Sequence, residues 1–558
     1  MIVQTGTPAT PTMGSVAGQE AGYPGDVERW LRTATPKTLA EWLSRLPKSN
    51  VAAAAQQQLQ LLKRLDETEL PPMQKFALLD VVRSGAYQTV EALTCGFMGS
   101  GTGFSDHFKA IINQAMLLQG QLVTCYTNVA ISARLLGEQQ LFIMGSALHR
   151  AMMDEYSMLG FYLQLHLLVP QQLWRQLNRL YKVAEDAHLL AHVMGDNVFA
   201  SEQMLTIKQI YIAAALLGSA RTGQLHAEDV MTTAKCLKKW ALQAEISHQS
   251  ESAQAWQLVV DIAGANAPHF ESLATIAAGG QWRYLHTRKL AAYLPKQAGT
   301  VIRIGDRNAI PSSELVRHLV AAWTEYVERD NTRHSRDDSV TACIGLGNVH
   351  HYLCGGRELN EFMGDVHKHA PFGDDRQLVI GHVPEVFGFH TYMAVDASQV
   401  AQDRYPSHDV RVINESSTGY CLEWPLSLLS QLPVGAIVGV KEAYAPYWKL
   451  AEVVWSRKAG DGKLRTGLRT LANEAMPLAV RIPYATGERA EAIAGFLLAP
   501  DRELGTDKTM FLSANVKMKM GEHVHLIQEG NEQLVQLLEP VKETLHYSLF
   551  DCAFVVQP

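Results

Sequence analysis

Asn414-Glu415-Ser416-Ser417-Thr418-Gly419 lies directly between two short β-prone runs, Val410 to Ile413 and Tyr420 to Trp424. Its amide and hydroxyl side chains present hydrogen-bonding groups on short tethers, and Gly419 permits a tight backbone turn. That combination suits the edge of a small polar ligand, although the same residues also make an ordinary polar hairpin. Upstream, Arg329-Asp330-Asn331-Thr332-Arg333 and then Arg336 precede a further β-prone run, Val340 to Ile344. Planar guanidinium forks hold phosphates, pair with the O6/N7 edge of guanine and stack on purine faces. Spacing alone does not single these arginines out, because Arg175/Arg179, Arg303/Arg307 and Arg465/Arg469 repeat it.

A second group of chemically able residues is the run of His350, His351, His367, His369, His382 and His390 near Cys343 and Cys354. Imidazole and thiolate are good zinc ligands, but the spacing fits no closed zinc pattern. Read as a strand, adjacent His350 and His351 would point to opposite faces. Other catalytic scaffolds are missing from the sequence: it has no Gly-x-x-x-x-Gly-Lys-Ser/Thr loop, no His-Glu-x-x-His helix and no Gly-x-Ser-x-Gly elbow. Gly345-Leu346-Gly347 lacks the third glycine of a dinucleotide turn, and Gly99 to Gly103 follows no strand, so both read as loops.

The elements that must position these groups are marked by proline. One proline, Pro170, falls between Met73 and Ala267, whereas fourteen fall from Pro268 onward. The first region is therefore free to be helical. Phe108, Ile111, Ile112, Ala115 and Met116 fall on one helical face, as do Leu173, Trp174, Leu177, Leu180, Tyr181 and Ala184. Ser105 and Asp106 offer a cap to the first of these helices. From about Ala255 the pattern changes to short β-rich runs between Gly, Pro and Asp, interrupted by a helix over Glu314 to Glu328. These runs include Leu258 to Ile262, Val301 to Ile304, Leu378 to Gly381, Phe389 to Val395, Ala436 to Val440, Lys449 to Trp455, Leu478 to Ile482, Met510 to Leu512 and His523 to Ile527. Near the end, Lys517, Lys519 and His523 would share one side of a strand.

Composition bounds the function. With 558 residues, 47% hydrophobic and 19% charged, the chain is long enough for several domains. A net charge of -7 lacks the basic excess on which duplex nucleic-acid binding rests. The longest apolar run, Ile210 to Gly218, is too short to span a bilayer. Met1 to Gly25 has no Lys or Arg and reads as a disordered leader, not a secretory signal. Seven scattered cysteines fit a reducing compartment, so the expected location is cytoplasmic.

An Arg-x-x-x-Arg element before a small β-barrel, followed by Asn-x-Ser-x-x-Gly on a strand-turn-strand, resembles the PilZ domain, the bacterial receptor module for cyclic di-GMP. Pro433 to Val438, Ala451 to Trp455 and Thr466-Gly467-Leu468 resemble later strands of that family. The resemblance covers about Arg329 to Leu471. It implies that Arg329 and Arg333 clamp phosphate and guanine, with Arg336 an added candidate, so that either Arg329/Arg333 or Arg333/Arg336 forms the clamp. It implies further that Asn414 and Ser416 hydrogen-bond a guanine and that Gly419 shapes the turn. Roughly eighty residues separate Arg333 from Asn414, which requires a large insertion near 355–402.

The expected fold is multidomain α+β. A disordered leader (1–26) precedes an all-α helical bundle (27–250) and an α/β connector (251–320). A PilZ-like antiparallel β-barrel with its insertion (321–475) and a C-terminal β-rich domain (476–558) follow. The expected function is that of a cyclic di-GMP-binding effector that acts without catalysis, cofactor or resident metal. Ligand binding would reposition a helical domain that contacts a protein partner or self-associates. Two other readings stay open: a PilZ-like protein-interaction scaffold that binds no nucleotide, and a metal-dependent enzyme built on the histidine-rich insertion.

Overall fold

The computed structural model describes residues 27–556 except 48–49, 95–105, 197, 199–203, 251–253, 305–306, 327–332, 365–376, 381–403, 446, 460–461, 483–491, 505, 507, 515–517 and 545. The expected Phe389 to Val395 strand, the Gly99 to Gly103 loop and the cap at Ser105 lie outside the described residues, as does the leader. The chain forms two compact units, the first comprising Met1–Met98, Asp106–Glu155 and Ala184–Ala200, and the second the remainder.

The N-terminal half is helical. Its elements are α1 (Val27–Thr33), α2 (Pro36–Ser44), α3 (Val51–Glu67), α4 (Pro72–Thr94), α5 (Asp106–Leu135), α6 (Leu141–Gln164), α7 (Gln171–Asp186), α8 (Ile207–Ser219) and α9 (Ala227–Trp240). Local sequence sets their starts. Thr35 caps α2 in a reciprocal pair with Thr38, Asn50 accepts from Ala53 N, and Thr206 pairs with Gln209 to open α8. The first unit encloses charge as well as apolar surface. The fully buried Arg83 donates to Asp154 and Asp196, and Arg150 donates to Asp80 and Asp196.

The expected stripe of α7 is buried at every position from Leu173 to Ala184 that was assigned to it. The apolar run Ile210 to Gly218 lies in α8, whose residues from Ile210 to Leu217 are all buried; a helix apolar all round belongs inside a protein. Tyr211 stacks on Tyr181 at 4.2 Å and donates to Asn178 Oδ1 at 2.7 Å, which satisfies both polar groups.

Next come β1 (Glu245–Ser247), β2 (Trp256–Asp261), β3 (His269–Ser272), α10 (Leu273–Ala277), β4 (Trp282–His286) and α11 (Arg288–Tyr293), whose strands make a sheet ordered β1-β4-β2-β3. A small hairpin, β5 (Ile302–Ile304) and β6 (Arg307–Ala309), leads to α12 (Ser313–Thr324). That helix ends at Thr324, four residues short of the expected Glu328, where Glu325 takes an extended conformation.

The rest is two barrels. The first contains β7 (His334–Ser335), β8 (Ser339–Ile344), α13 (Leu346–Leu353), α14 (Leu359–Met363), β10 (Ser407–Ser416), β11 (Gly419–Pro425), β12 (Ile437–Lys441), β13 (Lys449–Lys458) and β14 (Lys463–Ala472), while β9 (Gln377–Ile380), which falls between α14 and β10 in the chain, belongs to the sheet of the second. Antiparallel pairs β8–β10, β10–β11, β11–β14, β14–β13, β13–β12 and β12–β8 close a ring, with β7 in line with β8 along the same edge of β10. Alternation sets the core: Val410, Val412, Tyr420, Leu422, Trp424, Val438, Val440, Val453, Leu464 and Leu468 point inward. The second barrel is β15 (Ala475–Arg481), β16 (Ile493–Leu498), β17 (Met510–Ala514), β18 (His523–Gln528), β19 (Asn531–Glu543) and β20 (Tyr547–Val556). It closes through β15–β16, β16–β17, β17–β20, β20–β19, β19–β18 and β18–β15.

Written as first to sixth strand, both rings run first-second-third-sixth-fifth-fourth, so the C-terminal barrel repeats the connectivity of the one before it. One apolar cluster joins them, with Val349, Ile437, Trp448 and Leu450 against Phe496, Leu512, Tyr547 and Leu549. The segment between β8 and β10 works at this junction. Its strand β9 adds to β20 of the second barrel, and Met363 O accepts from Gly530 N at 2.6 Å. Lys519 lies in the turn before β18, so it does not share a strand face with His523; Lys517 lies outside the described residues.

Candidate functional site

Strands β10 and β11 meet in a tight hairpin whose closing pair is Ser416 and Gly419. A β-bulge between Val412 and Asn414 shifts the register, and Asn414 then sits opposite Cys421. The Ser416 hydroxyl turns back to Gly419 O at 3.4 Å. Gly419 is required by its neighbour: a Cβ there would overlap the backbone carbonyl of Leu468 on β14.

The arginine segment meets this hairpin. Strand β7 pairs His334 with Glu415 and Ser335 with Asn414, and the adjacent Arg333 donates from Nη1 to Asn414 Oδ1 at 3.5 Å. Residues 81 apart in sequence are thus neighbours. The insertion does not disturb them because it leaves the barrel from the other end of β8, beyond the Cys343–Ser407 pair. Loop closure costs little for added length, so a long excursion there leaves the hairpin end intact. Arg333 is exposed. Arg336 is differently engaged: it donates to Asp338 and Glu415, and its backbone N–H binds Ile413 O at 3.2 Å. These hydrogen bonds hold its own pKa above the ordinary arginine value and draw the Asp338 carboxyl below the usual range. Arg329 lies outside the described residues.

The outward face of the barrel extends the site in rows that the strand register fixes. One row runs Ser335, Asn414, Cys421, Gly467 and Trp455, and the next runs Ser416, Gly419, Arg469 and Glu452. Gly419, Cys421 and Gly467 leave a floor of small residues. Trp455 covers its far side, since a Cβ on Gly467 would overlap the indole. Below the floor a charged row joins Arg411, Glu423, Arg465 and Arg457. The buried Glu423 accepts from Lys463 at 2.8 Å and Arg465 at 3.0 Å, and these bonds hold its carboxyl below the usual range. Sequence reasoning missed Trp455, Arg465 and Arg469 as members of this face. For Arg465 and Arg469 the signal available was parity, since both lie outside the buried alternation of Leu464, Thr466 and Leu468, but only the register brings them opposite Glu423 and Gly419. Trp455 shares the parity of the inward Ala451 and Val453, and only a bulge after Val453 sets it opposite Gly467 on this face.

Comparison with known proteins bears on this arrangement. Residues 257–380 and 389–477 match the model of the middle PilZ domain of the cyclic-di-GMP receptor FimW. The chain carries a PilZ domain. Residues 37–254 match the model of the N-terminal domain of the same receptor. The chain is also 24% identical over 553 residues to the cyclic-di-GMP receptor FimW of Pseudomonas aeruginosa, covering 93% of this chain and 90% of that protein. No solved structure matches it.

The histidines near the PilZ domain's insertion are placed by packing. His350 and His351 are in helix α13, not in a strand; Gly345, with φ of 92°, ends β8 and starts that helix. His350 Nε2 contacts Leu478 O at 3.0 Å, and burial lowers its pKa to about 4. His351 stacks on Tyr405 at 3.9 Å. Cys343 and Cys354 are buried and free. Among the described residues no three His, Cys, Asp or Glu side chains group as a metal site. His367, His369, His382 and His390 lie outside them. Among the described residues no helix is long and apolar enough to cross a membrane.

The second barrel shares the PilZ domain's connectivity without its Asn-x-Ser-x-x-Gly sequence. Its second and third strands, β16 and β17, are joined by Ala499 to Thr509, which contains no Asn-x-Ser-x-x-Gly.

Proposed function

We propose that this protein binds cyclic di-GMP on the outward face of its PilZ barrel and acts as an effector, by binding and not by turnover. The observation that carries the reading is the contact of Arg333 with Asn414 across 81 residues of sequence. A guanidinium and an amide at that separation can grip the phosphate and the purine of one nucleotide. Arg329, four residues upstream, is the proposed second member of the clamp. Asn414 and Ser416 are the proposed guanine contacts, and Arg336 is the residue that fixes Glu415 and the β7 edge. The small floor and the Trp455 ring accept a flat heterocycle. The relative's description as a cyclic-di-GMP receptor supports the same ligand.

The expected output is conformational, in a cytoplasmic protein that passes the signal to a partner. Tyr326, just before the arginine segment, stacks on Trp256 at 3.8 Å, and Arg221 donates to Glu325 O at 2.6 Å. A ligand held by Arg333 therefore pulls on a connection anchored to the turn after α8. We assign protein contacts, self-association included, to the helical region, which exposes Ile131, Leu135, Leu136 and Phe142 near the α5–α6 junction. Calorimetric titration of the intact protein should show cyclic di-GMP binding in the micromolar range or tighter. Arg333→Ala and Ser416→Ala should each weaken it; a folded protein that takes up no heat with this ligand defeats the reading.

A further inference from the structure

Glu452 is a fully buried carboxylate on β13 of the PilZ barrel, and three donors converge on it. Arg469 of β14 comes from the PilZ barrel, whereas Lys542 of β19 and Tyr547 of β20 come from the second barrel. Lys542 Nζ reaches both carboxylate oxygens, at 2.9 and 2.7 Å. Burial by itself pushes the Glu452 carboxyl up, but the Arg469 and Lys542 charges outweigh it and hold the group ionised. The cluster therefore has one anion and two cations. One cation is in surplus.

Arg469 is the cation that can leave. Its side chain is 52% exposed, against 1% for Glu452, and it sits directly opposite Gly419 on the row that forms the ligand floor. A buried carboxylate stripped of every partner costs several kcal/mol, which would forbid such a move. Here Lys542 and Tyr547 stay on Glu452, so no buried charge is orphaned. We propose that Arg469 is a third cationic contact for the phosphate of a bound dinucleotide, and that its transfer from Glu452 to the ligand is the event the second barrel reads. Without the arginine, Glu452 is held by the second barrel alone, through Lys542 and Tyr547. The barrel that lacks the ligand sequence thereby senses the one that has it. This inference rests on the ligand reading above.

The test uses the full chain with cyclic di-GMP, calorimetry for affinity and amide hydrogen exchange for β19 and β20. Ligand should change exchange in β19 and β20 of the wild type, and Arg469→Gln should weaken binding and abolish that change at saturating ligand. Lys542→Met makes Arg469 the sole cation on Glu452 and should weaken binding roughly 5-fold or more. In a Glu452→Gln background, where Arg469 is already released, Lys542→Met should have no effect. Each of these variants leaves Glu452 with a cation or removes its charge, so none strands a buried ion. Binding with unchanged exchange in β19 and β20, or a Lys542→Met effect that persists in Glu452→Gln, overturns the relay and leaves the receptor reading standing. No binding by the folded wild type overturns both.

Discussion

The indole of Trp455 occupies the space that a side chain on Gly467 would need. The two residues are register partners on adjacent strands of the barrel, and a bulge between Val453 and Trp455 turns the tryptophan onto the outward face. A glycine at 467 thus has a packing cause: it leaves room for the aromatic ring of Trp455.

Gly467→Ala should displace that ring. The added methyl forces Trp455 off its position, an overpacking effect of about 1 to 3 kcal/mol that denaturant unfolding will show. Affinity for cyclic di-GMP should fall as well, and Trp455 fluorescence should report the altered environment. Unchanged stability and affinity would mean that the ring has another place to lie without cost.

Arg333 and Arg336 should separate binding from architecture. Arg333 is exposed and contacts Asn414, so Arg333→Ala should lower affinity while leaving the melting temperature within about 1 °C. Arg336 joins β7 to Glu415 and Asp338. Arg336→Ala should loosen the β7 edge, seen as faster amide exchange at His334 and Ser335, and should weaken binding only through that loosening. Equal effects of the two variants on both readouts would remove the distinction.

Much of this could be read from residue order, and the omissions have physical causes. Leu173 to Ala184 showed its buried face because a helix repeats on a period that the sequence carries directly. In β11, Tyr420, Leu422 and Trp424 line the barrel core, but Cys421 and Glu423 on the opposite side are buried as well, which alternation alone does not foretell. The Asn414 to Gly419 hairpin was visible because turn residues are local. His350 and His351 were misplaced because the apolar run around them serves a strand or a short helix equally, and packing against Phe496 and Phe362 decides for the helix. The shared connectivity of the barrels leaves no repeated motif to find. Arg469 and Glu452 owe their meeting to strand register, and Lys542 arrives from a different barrel 90 residues away.

Lys458 gives the second unit a specific dependence on pH. Burial lowers its pKa to about 6 and that of the nearby His166 to about 4, and the Lys458 backbone N–H donates to His166 O at 3.1 Å. Unfolded, both groups hold their protons more tightly, so the unfolded state binds more protons between the folded and unfolded pKa values. Stability must then rise with pH, from about 4 to 6.5 through His166 and from about 6 to 10.5 through Lys458. Lys458→Met removes the second contribution. It should raise the melting temperature at pH 6 by more than at pH 9; an increase of the same size at both would assign the gain to packing.

Asp196 ties together the two buried arginines of the first unit, accepting from Arg83 Nη1 at 2.9 Å and from Arg150 Nη1 at 3.2 Å. Both guanidiniums keep a second carboxylate, Asp154 for Arg83 and Asp80 for Arg150, so the neutral variant Asp196→Asn leaves neither wholly unpaired. It does leave two cations facing each other across an amide that can accept from them but cannot offset their charge. The expected loss is near the 3 to 5 kcal/mol of a broken buried pair, about the lower end because of the remaining partners. Urea unfolding followed by helical circular dichroism should show it, with amide exchange rising in α4 and α6. A second change, Arg150→Met, removes one of the two facing cations and should restore part of the loss; a double variant no more stable than Asp196→Asn alone would show that the arginines do not compete for this carboxylate.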